Sequence, residues 1–336
     1  MVLSPEFFWP LSILSLGFPA IALINILFVV FWLVLLKKYF VYSLLGLILS
    51  YSLVFSHFQI PGLSQKSNAE GSITVLSFNT HNLSNSNFNR GDKEIRAKIL
   101  DFVKDQKADI ICFQEFQSYP TRGVNTINDF QRVLKHKYVH TVPYLKKNKH
   151  EFLDLFVMYS KYPIKKSKSF FLKGKSFGFY SDLEINGQVV RLFNLHLESN
   201  HFNKSDYDVF DEDDLALDEE KRNQFLLLIH KIKKYSIIRS QQVKEIKEEI
   251  DNSPYPVIVV GDFNDTPASY TYNKIAGSLN DAFVKKGSGY GDTYNGKLPP
   301  MRIDYNLFSD HFKILDHRIM KPDLSDHYPI KTRFTF

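Results

Sequence analysis

Cysteine is almost absent: Cys112 stands alone among 336 residues, inside the apolar run Ile110–Phe113. That excludes an intrachain disulfide and a cysteine-based metal site, and leaves a small buried side chain as its expected role. No cysteine follows the apolar N-terminal stretch, so thiol-linked lipid attachment there is excluded as well. Charge is missing from the same region. Before Lys66 the charged residues are Glu6, Lys37 and Lys38, which sum to +1, so the remainder carries +5 of the net +6. Over so long a stretch this is a mild excess. It reads as a solvated basic surface, with only a weak pull toward polyanions or anionic headgroups. No internal repeat is present, and the one biased segment, the acidic Asp206–Glu220, reads as a solvated insertion loop.

Long apolar runs are what the N-terminus does have. Leu11–Leu36 is uncharged, and after Lys37-Lys38 the stretch Tyr39–Phe58 is uncharged again. Roughly 20 apolar residues suffice to cross a hydrocarbon core, so residues 1–60 are expected to form a transmembrane helical hairpin, with spans at about 11–36 and 39–58. A cleaved signal peptide would want a positive start, and residues 1–10 hold no Lys or Arg. Lys37-Lys38 in the tight connection places that connection on the cytoplasmic side. The expectation is therefore an integral protein of the cell membrane with its large domain extracytoplasmic. Residues 61–71, with Pro61 and Gly62, read as a linker to a domain over 72–336.

In that domain, apolar runs of strand length recur: Ile73–Phe78, Ile110–Phe113, Leu155–Ser160, Val189–Leu195, Val257–Val260, Ile303–Phe308 and one around Ile330–Phe334. Helical stripes lie between them, Ile95, Ile99, Phe102 and Val103 in one and Val243, Ile246 and Ile250 in another. Strands interleaved with helices point to an α/β layered fold. The pattern alone leaves open a purely parallel sheet or two packed sheets.

Polar residues able to hold a metal or phosphate recur where these runs end. Asn79 closes the first, and Glu115 follows the second. His196 lies between leucines in Asn194-Leu195-His196-Leu197-Glu198. Gly261-Asp262-Phe263-Asn264-Asp265 follows a buried run, and Asp304 sits inside an apolar one, costly unless paired. Ser325-Asp326-His327 supplies a second acid and a histidine, and one physical solution is that Asp304 keeps His327 protonated. Singly, each has an ordinary explanation as a turn, cap or core residue.

In this order the segments resemble the endonuclease/exonuclease/phosphatase superfamily, from about Ile73 to Phe334. Gly-Asp-Phe-Asn and Ser-Asp-His are the most specific pieces. The resemblance implies a four-layer α/β sandwich, two packed mixed sheets between outer helices, and a hydrolase acting on phosphate esters by direct attack of water. By motif position Glu115 is the principal metal carboxylate, with Asn79 beside it and Asp326 as an additional metal-side acid. Asp262 orients or deprotonates the water, Asn264 binds phosphate, and His327 supported by Asp304 stabilises phosphoryl charge. His196 reaches the phosphate, with Glu151 or Asp154 as its acidic partner. Arg239 and Gln242 fit a structural pattern. The implied cofactor is Mg²⁺, with Mn²⁺ able to substitute, because a hard ion suits carboxylates and phosphate oxygens. The expected partners are the bilayer and a phosphate-ester substrate, phospholipid or nucleic acid, with no obligate protein partner. A nuclease and a catalytically dead binding module are the competing readings. Substrate choice is expected in the segments Ser84–Gly91, Ser118–Asn128, Lys165–Phe179 and Lys285–Pro300.

Overall fold

Continuous apolar runs become central strands because alternate side chains point to opposite faces and both faces are covered. The computed structural model describes residues 3–60, 69–84, 93–118, 125–144, 153–202 and 219–336. Helices open the chain: α1 (Pro5–Phe8), α2 (Pro10–Leu16), α3 (Phe18–Val34), α4 (Phe40–Leu49) and α5 (Tyr51–His57). The short β1 (Phe58–Gln59) precedes β2 (Ile73–Asn79), α6 (Lys93–Asp105), β3 (Ile110–Ser118), α7 (Thr126–Leu134), β4 (Tyr138–Pro143) and β5 (Leu153–Ser160). Next come β6 (Ile164–Leu172), β7 (Lys175–Ile185), β8 (Gln188–His196), α8 (Glu219–Asp251), β9 (Val257–Asp262) and α9 (Tyr270–Ala276). The chain closes with β10 (Asn280–Asp281), α10 (Ala282–Lys286), β11 (Gly289–Tyr290), β12 (Asp304–Phe308), β13 (Lys313–Ile319) and β14 (Ile330–Thr335).

Two six-stranded mixed sheets result, ordered β13-β14-β2-β3-β5-β4 and β10-β12-β9-β8-β7-β6. Val75, Cys112, Met158, Leu192, Ile258 and Val260 meet in the core between them. Their chain neighbours face outward: Leu76, Phe113 and Val157 pack with Ile95, Ile99 and Phe130 of α6 and α7. On the far side Phe193 and Val259 pack with Val243, Ile246 and Ile275 of α8 and α9. The layers therefore run helix, sheet, sheet, helix, which settles the choice the hydropathy pattern left open.

Parallel pairing of β8 with β9 and antiparallel pairing of β9 with β12 sets His196 opposite Asp262 and Asp262 opposite Asp304. Gly261 makes that close pairing possible. It sits at φ +134, and a Cβ there would lie 2.0 Å from the Leu195 carbonyl oxygen. We expect Gly261→Ala to destabilise the fold by about 3 kcal/mol, combining overpacking with backbone strain. Denaturant melts measure this, and an unchanged midpoint would contradict it.

The N-terminal region departs from the expected pair of continuous spans. Among the described residues no single helix is long and apolar enough to cross a membrane. The two bent pairs, α2 with α3 at 65° and α4 with α5 at 68°, pass by length and composition only together. The cause is local. Gly17 ends α2, and Pro19, without an N–H, fits only the first turn of a new helix. At the second break, Ser50 directs its hydroxyl back to the Gly46 carbonyl, a bond that competes with the helical ladder. α3 is apolar on every face and largely exposed, with Leu23, Leu27, Val30 and Phe31 turned outward. Lys165–Phe179, one of the segments expected to set substrate choice, is no loop: it forms most of the antiparallel pair β6–β7. Alternation there is masked because Phe170 is buried beside half-exposed Ser169 and Phe171. Residues 206–218 of the acidic segment and 61–68 of the linker lie outside the described residues.

Candidate active site

Asp262 ends β9 and is fully buried, so its oxygens need donors. Its Oδ1 accepts from the Asn264 backbone N–H at 2.7 Å. Its Oδ2 accepts from the side-chain amides of Asn79 and Asn264, each at 3.1 Å. Two imidazoles approach the same oxygen without reaching it, His196 Nε2 at 3.6 Å and His327 Nε2 at 3.7 Å. A cradle so rich in N–H donors suits a second anion beside the carboxylate. Burial raises the Asp262 pKa, an effect that His327 and His196 only partly offset.

His327 is brought in by the Ser325-Asp326-His327 turn, where Ser325 Oγ donates to the Asn79 carbonyl at 2.9 Å and accepts from the His327 N–H at 3.2 Å. Its Nδ1 donates to Asp304 Oδ2 at 3.0 Å. Burial alone would favour the neutral ring. The Asp304 and Asp262 carboxylates outweigh it and hold the His327 pKa well above the ordinary imidazole value. Asp304 is itself fixed by its backbone N–H, which donates to Thr293 Oγ1 at 3.0 Å. The expected Asp304–His327 pair is thus present, aimed at Asp262.

Glu115 reaches the site through a backbone irregularity. The β3–β5 register shifts between Phe113 and Phe116, and Glu115 takes a left-handed φ of +49. A bulge of this kind re-aims a side chain out of the strand alternation. The Glu115 carboxylate accepts from Asn79 Nδ2 at 3.3 Å and Asn82 Nδ2 at 3.2 Å, and lies 3.4 Å from His196 Nε2. Asn79 therefore bridges Glu115 and Asp262, while its own oxygen accepts from the His81 N–H at 3.0 Å. Asn264, also left-handed at φ +51, ties the site to the next strand through the Leu197 carbonyl at 3.0 Å.

Glu115, Asn264 and Asp326 line one cleft of about 880 Å³, and His196, Asp262, Asp304, His327 and Asn79 lie behind its wall, linked as described. The donor set fits a hard cation. Glu115 and Asp326 are each about one quarter exposed on the cleft side, and carboxylates with amide neighbours supply the oxygens such an ion prefers. Ligand atoms of Asp262, Asp304 and His327 also fall within 4.8 Å of one another. The hydrogen bond between Asp304 and His327 and the protonated state of His327 make that cluster a poorer place for a cation, since an imidazolium nitrogen has no free lone pair.

A family model described as the endonuclease/exonuclease/phosphatase family matches residues 76–327. The chain belongs to this family. Endonuclease/exonuclease/phosphatase proteins are metal-dependent hydrolases of phosphate esters, and this chain is such an enzyme. A second model, a domain of unknown function (DUF8431), matches residues 1–57. No curated protein matches the chain. Among solved structures it is similar to the Bacteroides thetaiotaomicron VPI-5482 mannosyl-6-phosphatase, with TM-score 0.54 and 18% identity over 79% of this chain and 100% of that one. The human Nocturnin catalytic domain with bound sulfate anion gives 0.55 and 17% over 83% and 100%. A humanized D. rerio TDP2 gives 0.55 and 13% over 80% and 100%. At these identities the likeness is one of fold.

Several residues at the site carried no sequence signal. Gln114 and Asn194 join the two sheets beneath it, Gln114 Nε2 donating to Asn194 Oδ1 at 2.6 Å. A buried amide in an apolar run is the trace they leave, visible only once both runs are known to face each other. Arg239 and Gln242 on α8 hold the turn after β8, donating to the Glu198 carbonyl at 2.9 Å and accepting from its N–H at 3.0 Å. Of the acids considered for His196, Glu151 and the Asp154 side chain lie outside the described residues.

Proposed function

We propose that this enzyme is a membrane-associated, Mg²⁺-dependent phosphoesterase that cleaves a phosphodiester or phosphomonoester by direct attack of water, Mn²⁺ being able to replace Mg²⁺. The observation that carries the reading is the convergence of N–H donors and a buried carboxylate on one point, Asp262 Oδ2, beside the half-buried acid Glu115. Asp262 acts as general base, its raised pKa making it a better proton acceptor than an ordinary carboxylate. Asn264, His196 and protonated His327 donate to the phosphoryl oxygens as their charge grows, each such donor worth about 2.7–4 kcal/mol in related chemistry. No Ser, Cys or Thr side chain takes part as nucleophile. Glu115 and Asp326 would hold the cation, with Asn79 orienting Glu115. When bound, the ion neutralises phosphate charge and polarises the ester.

The exposed apolar surface of α3 and α4 supports seating of the N-terminal hairpin in a bilayer, and Lys37-Lys38 at its tip supports an extracytoplasmic catalytic domain. α3 alone covers about 25 Å at 1.5 Å per residue. A reporter fused after Phe336 tests the topology; activity of a cytoplasmic-only reporter would reverse it.

Hydrolysis is expected to vanish in EDTA and return with Mg²⁺. Glu115→Gln should raise the Mg²⁺ concentration needed for half-maximal rate by 10-fold or more and shrink the Mg²⁺-induced rise in thermal midpoint. An unaltered metal requirement would remove Glu115 from the cation site.

A further inference from the structure

The helix α2 lies outside the residues matched by the family model, yet it forms part of the cleft. Leu16, its last residue, lines the same cavity as Glu115, Asn264 and Asp326. The reason is written in the chain. Pro19 has no N–H to give to the carbonyl four residues earlier, that of Ser15. The Thr266 hydroxyl takes that place, donating to the Ser15 carbonyl at 2.9 Å. Ser15 and Thr266 are both buried. Thr266 stands two residues beyond Asn264, so the helix end is fastened to the turn that carries the phosphate-facing amide. α1 is held to the same body, Glu6 pairing with Lys244 of α8 and accepting from Gln241 at 3.3 Å. The 65° bend then sends α3 away while α2 stays on the domain.

The cleft mixes two chemistries: beside Glu115, Asn264, Asp326 and other polar residues its lining includes Leu16, Phe202, Leu298, Met301 and Ile303. A cleft of about 880 Å³ is the size that takes a whole small ligand, well beyond one phosphoryl group. Its charge disfavours a polyanion. Among the described lining residues, Lys297 is the one lysine or arginine, against the carboxylates of Glu115, Asp323 and Asp326. A nucleic-acid groove requires the opposite balance.

We propose that Leu16 of α2, with Leu298 of the loop before β12, forms a subsite for the hydrocarbon part of the substrate, so that the enzyme selects amphiphilic phosphate esters. This rests on the membrane-associated phosphoesterase reading above and deepens it. A lipid phosphate delivered from the bilayer that holds α3 offers a partner to both the polar and the apolar lining residues.

The test uses the full chain in lipid nanodiscs with Mg²⁺ and a series of alkyl 4-nitrophenyl phosphates, methyl, butyl and hexyl, which share one chromogenic leaving group. For the unaltered enzyme kcat/KM should climb along the series by up to about fourfold per buried methylene. Leu16→Asn should cut the hexyl-to-methyl ratio of kcat/KM about tenfold, mainly through KM, and Leu298→Asn should do the same should the first variant melt early. A flat series with clear turnover of the methyl ester overturns the subsite and leaves the phosphoesterase standing. Equal losses on all three esters in both variants would also overturn it, as the mark of a merely structural wall. Hydrolysis of none of them, with nicking of supercoiled DNA, overturns the subsite and leaves a phosphoesterase acting on nucleic acid; hydrolysis of none of them and no nicking overturns the subsite and the underlying reading together.

Discussion

Asp262→Asn lowers kcat by about 10³- to 10⁴-fold without unfolding the protein, the upper part of the range for loss of a positioned general base. The neutral amide cannot take a proton from water, and it presents N–H where Asn79, Asn264, His196 and His327 all offer N–H already. The same substitution changes the stability profile. Burial raises the folded-state pKa of Asp262 above the ordinary value of 3.8. A raised carboxylate contributes stability that is complete below 3.8 and lost as pH rises through its folded value. Ionised Asp262 therefore costs stability near neutral pH, as functional carboxylates often do. Urea melts from pH 3.5 upward should show wild type shedding this contribution and Asp262→Asn keeping a flatter line. A variant with wild-type turnover would end the assignment of Asp262 as base.

The second large effect is expected at His327. His327→Ala removes the buried cation that faces the phosphoryl site and should cost about 10²- to 10³-fold in kcat, as for loss of one preorganised donor. Asp304→Asn probes the same group more gently. Its Oδ2 is 3.0 Å from His327 Nδ1 and helps to hold the ring protonated. The pH–rate profile should be bell-shaped, rising as Asp262 loses its proton and falling as His327 loses its own. Without the Asp304 charge the alkaline limb moves to lower pH, and the acid limb moves in the same direction because the Asp304 carboxylate also raises Asp262. An alkaline limb that stays put in purified Asp304→Asn would separate it from His327. The sign for stability follows the same logic. A histidine with a raised folded pKa contributes stability present below the ordinary value of 6.5 and lost as pH climbs through its folded value.

Much of the domain could be read from the chain because its central strands are buried on both faces and so appear as unbroken apolar runs. Val257–Val260 is one, continuing in the structure to Asp262. The site's polar residues stand at the ends of such runs, where a side chain leaves the core, and the structure draws those of β2, β3, β8, β9, β12 and the Ser325–His327 turn together. What stayed hidden depended on backbone geometry or on partners far along the chain. Nothing in Phe113-Gln114-Glu115-Phe116 signals a bulge, because the left-handed turn at Glu115 is imposed by pairing with β5. The N-terminal break falls at Gly17 and Pro19, but composition alone favours one continuous span. The buried contact of Ser15 with Thr266, with the pairing of Glu6 to Lys244, shows which side of the break belongs to the domain. The β6–β7 hairpin was missed for a different reason. Edge strand β6 alternates lysine and serine at its start, and an exposed edge of that composition looks like loop.

The row His196–Asp262–Asp304 has a further meaning for how this molecule comes into being. Each of the three is placed by ladder pairing with the strand beside it, so a slip of β9 by one position turns Asp262 to the opposite side of its sheet. Alignment of the backbone and placement of the base therefore arrive in the same event.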